Sequence, residues 1–178
     1  MMYWKEIKRK KAFKIKIGAF GNGDHETTLS CLNFLELIPL EMKNVLDVGC
    51  GTGILSIYAS ILGARRVVGY DISFNACKVF MENISLNSVK NCFVICGDEN
   101  AINGSYDVIM ANIYFDIILK LVDKIDNWIS KKGGYLILSG IPIEENFEIR
   151  KNYGNRGYSV IKGFFGEEYS TFLLKKEV

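Results

Sequence analysis

The sequence predicts an α/β fold built on a mainly parallel, doubly wound sheet. Short apolar runs alternate with segments of helical periodicity along most of the chain, and this alternation is the pattern of β–α–β units. A glycine-rich turn at 49–53 joins the apolar run 45–48 to a helical pattern that begins at Ile54. Asp71 and Asn112 each follow a further apolar run, and the carboxyl ends of parallel strands form the edge where ligands bind.

The first 17 residues are strongly basic. They hold six lysines and one arginine against a single glutamate, and Phe13, Ile15 and Ile17 alternate with two of the lysines. This alternation predicts a strand with one solvent-exposed face. We expect residues 1–17 to form a basic N-terminal arm or edge strand ahead of a domain at 18–178. Two roles stay open: lysines that blunt a sheet edge, or a patch that steers the protein to an acidic partner such as a ribosome.

The first helix of the domain is predicted from its capping residues and its leucines. Asp24 is the expected N-cap, and Glu26 in the first turn suits the helix dipole. A leucine repeat extends the helical pattern to Ile38, and Pro39 ends it.

The remaining elements alternate between strand and helix. Gly63 and Ser73 are the expected C-terminal and N-terminal caps of the two helices beside them. A weaker helical pattern precedes the last two strands, which we expect to form a closing antiparallel pair. In chain order, strands are predicted at 44–48, 66–70, 92–96, 106–111, 134–139, 158–163 and 170–175, and helices at 53–62, 73–87, 113–129 and 143–153.

Composition is that of an ordinary globular chain. The chain has 178 residues, 49% of them hydrophobic, with a net charge of +2 and a mean hydropathy of +0.12. A chain of this length can form one domain with a sizeable core. No apolar run approaches a membrane span of about 18 residues, and no signal-peptide core stands at the start. A cytoplasmic protein that does not engage a membrane is therefore expected.

Cysteine and histidine usage argues against a metal site. The five cysteines form no Cys-x-x-Cys pair and lie within apolar patterns, and the chain has one histidine. Buried free thiols are predicted, and no metal is expected.

The glycine turn and the acid before it indicate the class of cofactor. The spacing at 49–53 is Gly-x-Gly-x-Gly, and Ile54 stands where a dinucleotide fingerprint would place another glycine. Asp47 puts a carboxylate at the same strand end, where it would repel a pyrophosphate and favour a positively charged ligand. S-adenosylmethionine, whose sulfonium and amino group are both cationic, fits this turn best. A tight βα turn without a ligand is the alternative.

Three later strand ends carry further candidates. Asp71 lies about 20 residues after the glycines, where a carboxylate can accept hydrogen bonds from both ribose hydroxyls; its alternatives are a helix N-cap or an exposed loop acid. Asp98 follows the third strand and could accept from the adenine amino group, or simply stabilise a turn. Asn112 follows the fourth strand, beside the place where the methyl donor should point.

Six strings of the sequence resemble the PrmA family. These are class I methyltransferases that trimethylate amino groups of protein eleven of the large ribosomal subunit. The resemblance implies a Rossmann-like fold, with a seven-stranded, mostly parallel sheet, helices on both faces and a reversed last strand in a closing hairpin. The strings are GAFGNGDHETT (18–28), VLDVGCGTGILSI (45–57), LGARRVVGYDIS (62–73), ENISLN (82–87), DVIMANI (107–113) and GGYLILSGI (133–141).

The resemblance also assigns a cofactor site, residue by residue. Phe20, Gly21, His25, Thr27 and Thr28 would form the loop that closes over the methionine end of the cofactor, although His25 could instead be a hydrogen bonder at the helix start. Asp47, Gly49 and Gly51 would hold the amino acid part. Asn112 would orient the incoming amine as the catalytic residue; a purely structural role is its alternative. S-adenosylmethionine would leave as S-adenosylhomocysteine, and the partner would be a protein, either a ribosomal protein or the ribosome. The assigned positions are Phe20, Gly21, His25, Thr27, Thr28, Asp47, Gly49, Gly51, Asp71, Ile72, Asp98 and Asn112.

The sequence departs from the family at its start. The family carries a separate N-terminal domain that grips the ribosomal protein, and fewer than twenty residues precede the loop at 18–28 here. Either another surface, for example the basic stretch, recognises the acceptor, or the acceptor differs. A methyltransferase for a small molecule or nucleic acid and a non-catalytic cofactor-binding module remain alternatives, and direct nucleic-acid binding stays open.

Overall fold

A computed structural model describes residues 4–16 and 23–177, which form five helices and nine strands. The helices are α1 (Glu26–Leu35), α2 (Ile54–Ile61), α3 (Phe74–Leu86), α4 (Phe115–Trp128) and α5 (Asn146–Gly154). The strands are β1 (Trp4–Ile7), β2 (Phe13–Lys16), β3 (Asn44–Val48), β4 (Arg66–Asp71), β5 (Cys92–Cys96), β6 (Val108–Asn112), β7 (Tyr135–Pro142), β8 (Tyr158–Phe165) and β9 (Tyr169–Lys176).

Seven of the strands form one sheet in the order β5-β4-β3-β6-β7-β9-β8. The first five strands in this order are parallel to one another, and β9 runs antiparallel to both β7 and β8. The predicted α/β fold class and the closing antiparallel pair are therefore confirmed. The chain turns from β3 towards β4 on one side, whereas β6 lies on the other side, and this switch point is where such sheets bind ligands.

Helices cover both faces of the sheet because strand side chains alternate between the two faces. Val45 packs in a core with residues of α1, α2 and α3, and its neighbour Leu46 packs in a second core with residues of α4 and α5. Both side chains are fully buried. The carboxyl edge of the sheet is thus held between two packed layers.

The predicted N-terminal strand is present as β2, paired with β1 in an antiparallel hairpin. Phe13 and Ile15 are buried in the core beside α2. The side-chain amide of Asn87 accepts from the backbone N–H of Lys14 at 2.8 Å and donates to its carbonyl at 2.7 Å. The basic stretch therefore contributes to the core, and the proposed boundary between 17 and 18 falls within residues that the structure leaves undescribed.

The first helix differs from the prediction at both ends. His25, not Asp24, is the N-cap, and its ring nitrogen accepts from the N–H of Thr27. Asp24 instead pairs with the ammonium of Lys5 at 2.5 Å. The helix ends at Leu35, three residues before the predicted Ile38.

The cysteines fit the prediction of buried free thiols with one exception. All five cysteines are free thiols, and four are buried, whereas Cys96 is exposed. Within residues 4–16 and 23–177, no helix combines the length and apolar character that crossing a bilayer needs. The same residues contain no cluster of three or more potential metal ligands.

Candidate active site

The glycine turn after β3 leaves open space beside its middle glycine. Gly49, Gly51 and Gly53 have φ angles of +65°, +54° and +77°, which L side chains rarely adopt. An added Cβ would lie 2.5 Å from Ile113 at Gly49 and 2.0 Å from Phe80 at Gly53. At Gly51 it would meet no atom of the described residues within 4 Å. Packing therefore requires the outer two glycines, and Gly51 lets a ligand approach the backbone.

Asp47 lies behind this turn and is only 2% exposed. Its carboxyl group accepts a 2.6 Å hydrogen bond from the hydroxyl of Ser56 in α2. Burial raises the pKa of Asp47 to about 7, from an ordinary value of 3.8, because the charged form is poorly solvated there. Asp47 thus fixes the start of α2 under the turn, and its predicted contact with the amino acid part of a cofactor stays a prediction.

Asp71, at the end of β4, ties two backbone segments of the site together. One carboxylate oxygen accepts from the N–H of Gly51 at 2.9 Å, and the other accepts from the N–H of Ser73 at 2.8 Å. Each oxygen keeps a further lone pair for an outside donor. The carboxylate is partly exposed, so it can meet a ligand that lies over Gly51.

Ile72 and Asp98 are two further residues that were assigned to the cofactor. The side chain of Ile72 is 80% exposed, which is an unusual position for an isoleucine unless something apolar covers it. Asp98 accepts from the backbone N–H of Asn100 at 2.9 Å and from its side-chain amide at 3.2 Å. Asp98 therefore caps a short 3₁₀ turn, and its contact with adenine stays a prediction.

Asn112 and Thr28 meet at the other side of the turn. The Asn112 amide nitrogen lies 3.4 Å from the Thr28 hydroxyl, to which it donates. Asn112 is partly exposed, and Thr28 is 5% exposed. This contact brings the end of β6 and the first turn of α1 to the same edge of the sheet. Two of the assigned positions therefore lie side by side there.

A chain of buried hydroxyl groups fixes the start of α1 against the sheet. Thr171 of β9 lies 2.6 Å from the hydroxyls of both Ser30 and Ser139. The Ser30 hydroxyl donates to the carbonyl of Thr27 at 2.9 Å. The hydroxyl of Thr27 in turn lies 2.7 Å from the ring of His25. Two of the predicted residues, His25 and Thr27, are thus held through α1, β7 and β9.

Glu26 connects α1 to the β8–β9 turn. Its carboxylate accepts from three consecutive backbone N–H groups, those of Glu167, Glu168 and Tyr169, at 2.8, 3.3 and 3.0 Å. The hydrogen bond from Glu167 is the largest cause that lowers the pKa of Glu26 below its usual value. The β8–β9 turn therefore lies beside the first turn of α1.

Sequence reasoning missed two residues that shape the site. Asn83 is fully buried, and its side chain accepts from Lys16 N–H at 2.7 Å and donates to the Thr52 carbonyl at 2.9 Å. Gly140 has a φ of +81°, and an added Cβ would lie 2.4 Å from the carbonyl oxygen of Ile113. A lone glycine inside a strand pattern is a signal for such a bulge.

Phe20 and Gly21, which the resemblance assigned to the closing loop, lie outside the described residues. The remaining ten assigned positions all lie at the carboxyl edge of the parallel strands or in the first turn of α1. The strand order and this edge together define a Rossmann-like class I methyltransferase fold.

Comparison with known proteins identifies the family. The profile of the family described as "Ribosomal protein L11 methyltransferase (PrmA)" matches residues 2–177, and the chain therefore belongs to the PrmA family. The ribosomal protein L11 methyltransferase of Caldanaerobacter subterraneus subsp. tengcongensis is 41% identical over 160 residues. That match covers 89% of this chain and 51% of the relative, so the chain spans about half the length of this curated relative.

Two solved structures share the fold. The ribosomal protein L11 methylase of Lactobacillus delbrueckii subsp. bulgaricus superposes with a TM-score of 0.80 at 27% identity, covering 87% of this chain and 81% of the other. The magnesium protoporphyrin IX methyltransferase of Synechocystis PCC 6803, solved with bound SAM, superposes with a TM-score of 0.67 at 21% identity. Its match covers 83% of this chain and 77% of the other, and it supports the fold alone.

Proposed function

We propose that this protein is an S-adenosylmethionine-dependent methyltransferase that methylates amino groups of a protein in the cytoplasm. The observation that carries the proposal is the open space at Gly51, with the Asp71 carboxylate bonded to its N–H on one side. The names of the relatives support a ribosomal protein as the acceptor.

The residues around Gly51 fit the cofactor. A glycine without a neighbouring side chain admits a ligand against its backbone, and the partly exposed Asp71 can accept from ribose hydroxyls. Ile72 offers an exposed apolar side chain that a flat adenine ring would cover. The twelve assigned positions, from Phe20 to Asn112, are accordingly our proposed cofactor site. When bound, S-adenosylmethionine supplies an electrophilic methyl group on a sulfonium and leaves as S-adenosylhomocysteine.

Asn112 is the proposed catalytic residue because it orients the acceptor amine. Its amide nitrogen donates to Thr28, so its carbonyl oxygen points to the opposite side of the amide group. That oxygen can accept a hydrogen bond from an entering amine and direct the nitrogen lone pair towards the methyl group. Positioning of this kind can provide an effective molarity of about 10⁵ M or more.

The amine must be neutral when it attacks. A free lysine side chain has a pKa of about 10.4, and a pocket with little water lowers that pKa because it disfavours the ammonium form. The proton leaves to solvent before attack, the nitrogen lone pair forms the N–C bond, and the electrons of the broken C–S bond go to sulfur. Asn112 holds the amine through this exchange without itself transferring a proton.

The test is incubation of the protein with methyl-labelled S-adenosylmethionine and ribosomal proteins of a bacterium. Mass spectrometry should find label on lysine side chains or on the N-terminal amine of one protein, and loss of labelling with Asn112→Ala. Label in RNA or in a small molecule would replace the protein acceptor, and binding of the cofactor without any transfer would contradict the enzymatic role.

A further inference from the structure

The free edge of the large sheet has unusual features. Strand β8 is the last strand in the sheet order, and its one strand neighbour among residues 4–16 and 23–177 is β9. Seven consecutive residues of β8, 159–165, are exposed. They include Val160, Ile161, Phe164 and Phe165, which are 36–56% exposed. Natural proteins normally protect a long apolar edge, because its unpaired N–H and C=O groups bind other strands.

A groove runs beside this edge. A cavity of about 550 Å³ lies between β8 and α1, with Lys162, Gly163 and Phe164 on one wall and Phe34 and Leu37 on the other. Leu37 is 52% exposed. An edge strand beside a helix is the geometry in which an extended peptide adds a strand and places alternate side chains between the two walls.

The strand register places the side chains of Lys162 and Phe164 on the face of the sheet that borders the groove. Lys162 pairs with Leu173 of β9, and Phe164 pairs with Thr171. Leu173 packs in the core with α1, and Thr171 contacts the α1 residue Ser30. Lys162 and Phe164 therefore face α1, and they are two positions apart, as the side chains of a paired strand would be.

The charge of the groove is positive. Lys10 and Lys162 both line it, are exposed, and make no ion pair with any of the described residues. Glu36 also lines the groove, but its carboxylate accepts from the Arg9 guanidinium at 3.0 Å and from the Tyr58 hydroxyl at 2.5 Å. Its charge is therefore engaged, and the two lysines are left to meet acidic groups of a ligand.

The groove opens towards the candidate active site. Strand β8 ends at Phe165, and Glu26 of α1 binds the N–H groups of the turn that follows. Thr28, which contacts Asn112, lies two residues further along α1. A chain segment in the groove would thus leave it close to the place where we propose that methyl transfer occurs.

We propose that β8 and α1 form a docking site for an extended, acidic segment of the protein acceptor. The segment would pair its backbone with the free edge of β8, and its carboxylates would meet Lys10 and Lys162. The acceptor role of the segment rests on the proposed function, but docking itself needs neither cofactor nor methyl transfer.

The probe is a fluorescein-labelled octapeptide of alternating valine and glutamate, titrated into the full chain without cofactor. We expect saturable binding, weakened about tenfold or more by Lys162→Glu and by added salt. Lys151→Glu, an exposed charge reversal on α5 at the opposite face, should leave binding unchanged. The same peptide with alternate backbone nitrogens methylated cannot donate those hydrogen bonds, and it should not bind to the unchanged protein.

Several outcomes would overturn the docking site. These are no binding, equal binding by Lys162→Glu, equal binding of the N-methylated peptide, and tighter binding when lysine replaces glutamate in the peptide. A dimer in sedimentation velocity that Lys162→Glu dissociates would assign the edge to a second copy instead. Failure of methyl transfer with intact peptide binding would refute the proposed function but would support the docking site at β8 and α1.

Discussion

The side chains of Asn112 and Thr28 are joined by a 3.4 Å hydrogen bond although they lie 84 positions apart. The bond links the last residue of β6 to the first turn of α1, and in it the nitrogen end of the Asn112 amide faces Thr28. Because Thr28 is 5% exposed, it holds a defined position. The direction of the Asn112 carbonyl oxygen therefore depends on packing between α1 and the sheet.

Asn112→Ala should lower the turnover number by about 100-fold, the typical cost of misplacing a reacting group, and change cofactor affinity far less. Kinetics with labelled cofactor measure the first effect, and calorimetry with S-adenosylhomocysteine measures the second. Thr28→Val, which removes the hydroxyl but keeps the shape, should give a smaller loss of turnover. Unchanged turnover in Asn112→Ala would remove its orienting role.

Gly51→Ala should leave the fold largely intact and abolish cofactor binding, because its Cβ would enter open space beside the turn. Gly157→Ala is the matched control, since Gly157 also has a positive φ, +78°, and no described atom near its Cβ position. Both variants should lose about 1 kcal/mol of stability from backbone strain. Retained affinity for S-adenosylhomocysteine in Gly51→Ala would place the cofactor elsewhere.

Asp71→Ala should weaken binding of S-adenosylhomocysteine at least tenfold, since two N–H groups of the site lose their acceptor together with the ribose contact. The exposed Asp116 of α4 provides a control of equal charge, and Asp116→Ala should bind normally. Calorimetry makes the comparison. Equal affinities of the two variants would refute the ribose assignment.

The free energy of unfolding should decrease between pH 4 and pH 7 because of Asp47. Burial raises the folded pKa to about 7, so over this range the unfolded chain loses a proton that the folded chain keeps. Stability is then lost as pH rises, by at most about 1.4 kcal/mol per pH unit, and the loss levels off above pH 7. Urea titrations should show this component in the wild-type chain and not in Asp47→Asn; parallel pH profiles would contradict it.

Asn83→Ala should lower the free energy of unfolding by about 2–3 kcal/mol, because two hydrogen bonds lose the buried side chain that they share. Ser85→Ala, on the exposed side of the same helix, should change it by less than about 0.5 kcal/mol. Urea unfolding compares the two. We also expect weaker cofactor binding in Asn83→Ala, since Thr52 belongs to the glycine turn.

Local periodicity made most of the fold predictable. The strands at 44–48 and 92–96 match the observed β3 and β5 to the residue, because each is a short, largely apolar run bounded by polar or glycine residues. The cap at Ser73 was also predictable from local sequence, because its hydroxyl accepts from the backbone N–H of Ala76, only three positions further on. The sheet edge followed from these elements, and with it the position of Asp71 and Asn112.

Contacts between distant segments explain what the sequence could not predict. Asp24 satisfies the capping rule, but Lys5 draws its carboxylate away and His25 caps α1 instead. Ser30 and Asn83 are buried polar residues whose hydrogen-bond partners lie 141 and 67 residues away in the sequence. No local pattern reveals such a partner.

The hydrogen bonds from Asn83 and Asn87 to β2 have a geometric consequence. Four residues of helix advance by about 6.0 Å, and two residues of strand advance by roughly 6.7 Å, so two asparagines one helical turn apart match the backbones of Lys16 and Lys14. Side chains of a helix can thus form hydrogen bonds to a strand backbone at the spacing of a β-sheet ladder. The two repeats drift apart by about 0.7 Å at each step, which suits a ribbon strand of only four residues and would oppose a longer one.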